Sequence, residues 1–443
     1  MKRSLAILAL LVCVASLHAD DWPCWRGPRL DGSSLEKNLP LKWSVTKDKK
    51  TGAVTMENIA WAAEIPGIGH SSPIILGDHV FVTSCLLKEE QRVLICLDRK
   101  TGNVIWQREV AHSPLEFRHK LNSYASSTPA TDGKYVYTSF LRLRKKTDND
   151  APPAKPREKS PISPDLVPEV VVSAYDFVGN KVWEKVPGRF YSRHGFCSSP
   201  ILHKDKVIVN ADQDAEAYIV ALDKSDGAEK WRINRPNRFR SYCVPLIVEA
   251  GGKTQMVLSG AEAVNSYDPD TGKPIWNIKG PTEQYVASLV YGDGVFFLTT
   301  GFPEYHNMAI RPDGVGDITK SHIKWHEAKT TSRKASYVPS PLAVGKFFYM
   351  ISDTGWLSCF EAQTGKRTFM EQLGAHHSGS PILADGHVYM TDDAGITYVL
   401  KGTGAFDVVS RNPLGEPCYS SPAMSHGQLF IRTQNHLYCI GKR

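Results

Sequence analysis

Short apolar runs recur along the chain, each broken by a tight polar turn and then resumed. Pro73-Ile74-Ile75-Leu76-Gly77-Asp78-His79-Val80-Phe81-Val82 is the clearest case. The same pattern returns at Pro129–Tyr137, Pro200–Val209, Leu289–Leu298, Pro341–Met350, Pro381–Met390 and Pro422–Ile431, and with a longer turn through Gly251-Gly252 at Pro245–Leu258. β-Branched and aromatic residues bounded by Gly, Asp and Lys predict hairpins, not helices.

A second phrase lies between these hairpins. Cys96-Leu97-Asp98-Arg99-Lys100-Thr101-Gly102 leads to Trp106, Ala221-Leu222-Asp223 runs through Gly227 to Trp231, and Ser266-Tyr267-Asp268 runs through Gly272 to Trp276. Looser copies end at Trp183, Trp325, Phe369 and Val408. The Asp can accept backbone N–H groups two residues on, and the Gly takes the positive φ of the turn. The aromatic residue offers a plate for packing one unit on the next. Trp61 and Trp106 lie 45 positions apart, Trp183 and Trp231 48, Trp231 and Trp276 45, and Trp276 and Trp325 49. A period in the forties with four short strands predicts propeller blades. Eight outer-strand anchors (Trp61, Trp106, Trp183, Trp231, Trp276, Trp325, Phe369 and Val408) predict an all-β, eight-bladed propeller of four-stranded antiparallel blades over 58–443. The chain stops just after Leu437–Gly441, where an outer strand is still owed, and an unmatched one exists only at Asn58–Ala62. That segment is expected to close the last blade, which removes two open edges. One interval is too long. The excess, Arg142–Pro168, holds six prolines and seven bases and is expected to be a mobile insertion.

Residues 1–19 have the form of an export signal, with Lys2 and Arg3 before an apolar run and Ala19 at the expected cleavage point. Residues 20–57 form an N-terminal extension. Cleavage removes two of 53 bases and no acid, leaving an excess of five over the 46 acids, too dilute for nucleic-acid binding. No later stretch is apolar and long enough to be a transmembrane helix. The eight remaining cysteines include no Cys-x-x-Cys, which excludes haem attachment and a zinc knuckle. Cys96, Cys359 and Cys439 share one place in the repeat with Ala174, Ala221 and Ser266, so that place wants a small buried side chain. A Cys85–Cys96 bridge across one hairpin is the single pairing the spacing suggests.

With its Asp-x-x-Thr-Gly-x-x-x-Trp phrase, the chain resembles the quinoprotein-dehydrogenase-like (PQQ-like repeat) propellers from about Asn58 to Ile440. Asp21-Trp22-Pro23-Cys24-Trp25-Arg26-Gly27-Pro28 also looks like the Trp-Pro segment preceding such propellers. The family has two well-known branches, the pyrroloquinoline quinone (PQQ) dehydrogenases and the propeller lipoprotein of the outer-membrane β-barrel assembly machinery. Fold alone does not choose between them. The enzyme branch implies adjacent cysteines beside the quinone, calcium held by Glu and Asn, and an Asp base. This sequence has no Cys-Cys pair and no such acid set. Asp268-Pro269-Asp270-Thr271-Gly272 starts like a calcium loop but occupies the ordinary repeat turn.

In such propellers the first strand of each blade lines the channel, so residues just before it should ring one mouth. These are His70, Tyr124, Arg193, His194, Arg240, Tyr242, Tyr285, Tyr337, His376, His377 and Tyr419. Imidazole, phenol and guanidinium groups in a funnel suit a flat or anionic ligand. No catalytic residue and no metal ligand is assigned. His376 and His377, adjacent on a strand, point to opposite faces. Ser71-Ser72-Pro73, Ser198-Ser199-Pro200 and Ser420-Ser421-Pro422 recur in several blades, which marks a structural role. The expectation is a non-catalytic, exported, monomeric binding or scaffold propeller, periplasmic or extracellular and associated with the outer membrane under the scaffold branch. It engages a protein partner in the cell envelope or a small anionic ligand, and needs no cofactor. The alternative is an oxidoreductase using PQQ with calcium on an alcohol or sugar; a polysaccharide-binding module is a third class.

Overall fold

A computed structural model describes residues 21–48, 50–152, 161–236 and 239–442. The export signal and Cys13 lie outside these residues, as does the centre of the insertion at 153–160.

Each predicted hairpin pair becomes one four-stranded antiparallel blade, the fourth extended by a short parallel strand at Gly316–Asp317, and eight of them make the propeller. Blade 1 is Ile74–Leu76, His79–Leu86, Gln91–Asp98 and Val104–His112. Blades 2 to 7 begin with the inner strands at Ala130, Ile201, Leu246, Val290, Leu342 and Ile382. Blade 8 takes three strands from the C-terminus, Ala423–Ser425, Gln428–Arg432 and His436–Ile440, and its fourth from Ile59–Glu64. Trp61 pairs with Cys439 there, as expected for closure by the N-terminal strand.

The register explains the repeat phrase. Trp106, Trp183, Trp231, Trp276, Trp325, Phe369 and Trp61 sit opposite Cys96, Ala174, Ala221, Ser266, Ala309, Cys359 and Cys439, each beside a β-bulge. A small residue there leaves room for the ring. The indole of Trp61 donates to Arg99 O at 2.8 Å, Trp106 to Phe177 O at 2.8 Å, Trp183 to Lys224 O at 2.9 Å and Trp325 to Ala362 O at 2.8 Å. Each acceptor follows the turn Asp or Glu of the next blade, so Asp, Gly and Trp in the phrase join neighbouring units.

Three expectations are corrected. In blade 7 the register puts Ser410, not Val408, at the plate position, opposite Val399. Trp43 of the N-terminal extension is buried in the same core as Val399 and Leu414, and its backbone N–H donates to Asn412 Oδ1 at 3.2 Å. The predicted insertion is strand at both ends, in Val136–Lys145 and Leu166–Tyr175. Counting its bases missed the acids that pair with them: Arg142 with Glu169 and Glu184, and Arg144 and Arg189 with Asp150. Cys85 and Cys96 face Arg92 and Phe81 across the blade, not each other, and both are free thiols.

The N-terminal extension enters one end of the channel. Trp22 exchanges both backbone hydrogen bonds with Ile75 of blade 1 at 2.9 Å. Pro23 O accepts from Thr131 of blade 2 at 2.8 Å. The buried Arg26 guanidinium donates to Pro341 O of blade 6 at 2.6 Å and to Asp31 O, and burial pushes its pKa down to about 10. Gly32 and Ser34 pair with Leu383 of blade 7. Gly27 is at φ 75°, and any side chain there would strike the Trp22 ring. The segment thus supplies partners to free inner edges of four blades and plugs that end.

Candidate functional site

At the other end, the residue before each inner-strand proline or leucine forms a ring. Ser72 N–H donates to Thr128 Oγ1 (2.9 Å), Thr128 to Ser199 Oγ (2.9 Å), Val244 to Ser288 Oγ (2.8 Å) and Ser288 to Ser340 Oγ (2.9 Å). Ser340 donates to Ser380 Oγ (3.0 Å), Ser380 to Ser421 Oγ (2.9 Å) and Ser421 back to Ser72 Oγ (3.0 Å). The one seam without such a bond lies between blades 3 and 4, because Val244 has no hydroxyl. Here is the structural task of the recurring Ser-Ser-Pro phrase.

Strand alternation places the residue two positions earlier on the same inward face. That set is His70, Ser126, Cys197, Tyr242, Val286, Val338, Ser378 and Tyr419, and all eight line one cavity of about 470 Å³. Trp25 of the plug joins its lining with His119, Leu121, Asn122, His194, Arg240, Gln284, Phe302, Tyr337, Asp353 and His376, and the ring residues other than Ser288 complete it.

The charged groups of the wall are mostly engaged. Arg240 Nη1 donates to the buried Asp214 at 2.8 Å. His376 Nδ1 meets Asp393 Oδ2 at 2.6 Å, a contact that raises its pKa, and Asp393 also accepts the Ser378 N–H at 2.7 Å. Asp353 accepts the N–H groups of Tyr337 (2.7 Å) and Val338 (3.1 Å), one on each oxygen, while burial raises its pKa. His70 stacks against Tyr419 with ring centroids 4.6 Å apart; burial first, then Arg432 and Arg118, push its pKa down to about 4. Burial pushes the Cys197 thiol up to about 12, which leaves it protonated and poorly nucleophilic.

Seven of the eleven residues expected at the mouth line the cavity: His70, His194, Arg240, Tyr242, Tyr337, His376 and Tyr419. Four do not. Tyr285 and His377 are buried in the blades, where Tyr285 Oη donates to Gly280 O at 2.7 Å and His377 Nε2 bonds Leu373 O at 2.7 Å, although Tyr337, at the same step from its ring residue, does reach the lining. Tyr124 lies under the Arg118 guanidinium, 4.6 Å from its centre. Arg193 is exposed and outside the lining. The reading missed Trp25, His119, Asn122, Gln284, Phe302 and Asp353. Counting back from the aligned hydroxyls would have found the inward ring, but the loop residues have no repeat register.

The wall offers few acids of the kind a calcium site uses. Among the described residues no three His, Cys, Asp or Glu side chains are grouped to hold a metal. The single carboxylate in the lining, Asp353, already takes a backbone N–H on each oxygen. Asp268 and Asp270 belong to the ordinary turn, where Asp270 pairs with His203 and Lys204.

Fold and site define an eight-bladed propeller of the PQQ-like repeat class with one blind mouth. The sequence profile of outer membrane protein assembly factor BamB matches residues 45–144 and 168–290, just over half of the chain. The chain belongs to that family. None of the curated proteins matches its sequence significantly. Among solved structures, BamB from Moraxella catarrhalis is similar with a TM-score of 0.55 at 13% identity, over 86% of this chain and 99% of that one. The quinohemoprotein alcohol dehydrogenase from Comamonas testosteroni gives 0.61 at 12%, over 96% of this chain and 81% of that one. A europium-containing methanol dehydrogenase gives 0.59 at 11%, over 94% and 90%. Identities this low carry the fold alone. No helix among the described residues is long and apolar enough to cross a membrane.

Proposed function

We propose that the chain is an exported, non-catalytic binding propeller of the cell envelope that holds a protein partner at its blind mouth. The observation that carries this reading is the state of the mouth carboxylates. Asp214, Asp353 and Asp393 are each committed to a protein cation or to backbone N–H groups. A quinoprotein reaction needs a base and calcium ligands in the same wall, and these three carboxylates are already engaged by the protein. Membership of an assembly-factor family supports the same direction. The alternative, a PQQ-dependent oxidoreductase, draws on the dehydrogenase likeness and on the aromatic, cationic mouth.

Calorimetric titration of the mature protein and of Arg240→Ala with PQQ and calcium, followed by a dye-linked alcohol or sugar oxidation assay, tests the reading. The expected result is no heat and no turnover from either protein. Heat from the wild type that Arg240→Ala weakens about tenfold, the worth of one charge-assisted hydrogen bond, together with turnover, would overturn it.

A further inference from the structure

The fold uses only half of what the hydroxyl ring can do. Each of its seven side-chain oxygens accepts one backbone N–H from a neighbouring blade. None of the seven gives its own hydrogen to an acceptor among the described residues. A hydroxyl has one hydrogen and two lone pairs, so each still has one donor and one lone pair to offer. Six of the seven line the cavity, and the most exposed of these, Ser421, is only 6% exposed. At the blade 3–4 seam the Ser199 N–H, facing Val244 instead of a hydroxyl, donates to no acceptor among the described residues either. Buried polar groups are normally satisfied. The partners of this set therefore come from whatever fills the cavity.

The rest of the wall decides the class of occupant. Arg240 and His376 already meet the carboxylates of Asp214 and Asp393, and Asp353 takes a backbone N–H on each oxygen. A charged guest would lose its hydration here and displace an existing partner. Trp25, Tyr242, Phe302, Tyr337 and Tyr419 add aromatic surface, which suits the C–H face of a saturated ring. Groups that give and take hydrogen bonds without charge are hydroxyls, and a sugar carries them around such a ring. The volume of about 470 Å³ is in the range of small-molecule sites.

We propose that the cavity binds a neutral pyranose, free or as the terminal unit of a glycan, with its hydroxyls on the ring and its C–H face against the aromatic wall. No quinone and no oxidation enter. This goes beyond the binding-propeller reading, in which a protein partner needs only the rim of the mouth, and it stands or falls separately.

The test is a ligand-observed NMR titration of the mature protein with methyl glucoside, glucuronate and glucosamine, which are neutral, anionic and cationic versions of one ring. The neutral sugar is expected to bind about tenfold more tightly than either charged one. Thr128→Val removes one hydroxyl at nearly constant shape, and Val244 shows that the ring closes around a valine; it should weaken the sugar severalfold. Val244→Thr, which supplies the eighth hydroxyl, should strengthen it by a similar factor. Cellotetraose that binds more tightly than methyl glucoside assigns the terminal unit of a glycan, and equal or weaker binding assigns a free sugar. Tighter binding of glucuronate or glucosamine overturns the proposal, as does an affinity that neither variant moves in folded protein. Binding of none of the three sugars overturns it too, because the ring then closes on water alone.

Discussion

Trp183 joins blade 2 to blade 3, and replacing it by Ala measures what one plate contributes. The side chain is 7% exposed and packs in one core with Tyr137, Val172, Val207 and Val220. Its indole N–H donates to Lys224 O at 2.9 Å, and a Cβ built on Gly227 would fall 2.7 Å from its Cε3. Truncating a buried Trp costs about 3–5 kcal/mol; the hydrogen bond accounts for about 1 kcal/mol of it. At an unfolding entropy of about 2.1 cal/mol/K per residue, a domain of this length should melt about 4 °C lower. Trp183→Phe should lose only the smaller part. Gly227→Ala alone should cost about 2 kcal/mol or more, since it combines a clash with a φ of 73°. In the Trp183→Ala background the contact with the indole is gone, and what remains is backbone strain of about 1 kcal/mol and the 2.6 Å approach to Lys185 Cγ. Differential scanning calorimetry of the two single variants and the double variant gives the coupling. Strict additivity, or a shift below 1 °C for Trp183→Ala, would refute the plate-on-turn account.

Four further outcomes are expected. Val244→Thr keeps the volume and adds the missing hydroxyl to the ring at the blade 3–4 seam, so urea unfolding should show it about 0.5–1.5 kcal/mol more stable; a loss would mean the seam cannot accept the bond. The Asp393 contact raises the folded-state pKa of His376, so its stabilisation is fully present below the unfolded value near 6.5 and fades as pH rises through the folded value; Asp393→Asn should flatten that limb. His70 runs the other way, its pKa lowered to about 4, and destabilises by at most about 3 kcal/mol as pH falls from 6.5 to 4; His70→Phe should remove that acid loss in melting curves taken across the range. Deleting residues through Ala62 removes the outer strand of blade 8 and the plug, and should give insoluble or markedly less stable protein; unchanged melting would refute the closure.

The architecture was legible because the information that builds it is local and repeated. Asp98, Gly102 and Trp106 recur at the same spacing in most blades, and a wrong guess in one blade is corrected by the others. Blade 7 shows where this fails: Val408 looked like an anchor by position, but the plate had been lost to Ser410 and Trp43 packs into that core from far away in sequence. The mouth was half legible for the same reason. His70, Tyr242 and Tyr419 share a register with the hydroxyl ring, whereas at the position one step before them the outcome varies, Tyr337 reaching the cavity and Tyr285 and His377 turning into the blades. Leu121, Phe302 and Trp25 reach the cavity from loops and from the plug, through contacts that no periodicity encodes.

The plug and the closing strand also set the order in which this chain can fold. Residues 21–64 precede every blade in the chain, yet Ile59–Glu64 pairs with His436–Ile440, and the plug needs inner edges in blades 1, 2, 6 and 7. Until synthesis is almost finished, Trp22, Trp43 and Trp61 have no complete site to enter. Blades cannot therefore be added to a finished start one at a time, as in an open solenoid. The ring closes late, through contacts of very large sequence separation, which is the slow regime of folding. In the meantime the tryptophans of the N-terminal segment and two raw sheet edges stay exposed. Such a chain depends on whatever shields unfolded polypeptide in its compartment, and truncation at either end should cost it the whole ring and not one blade.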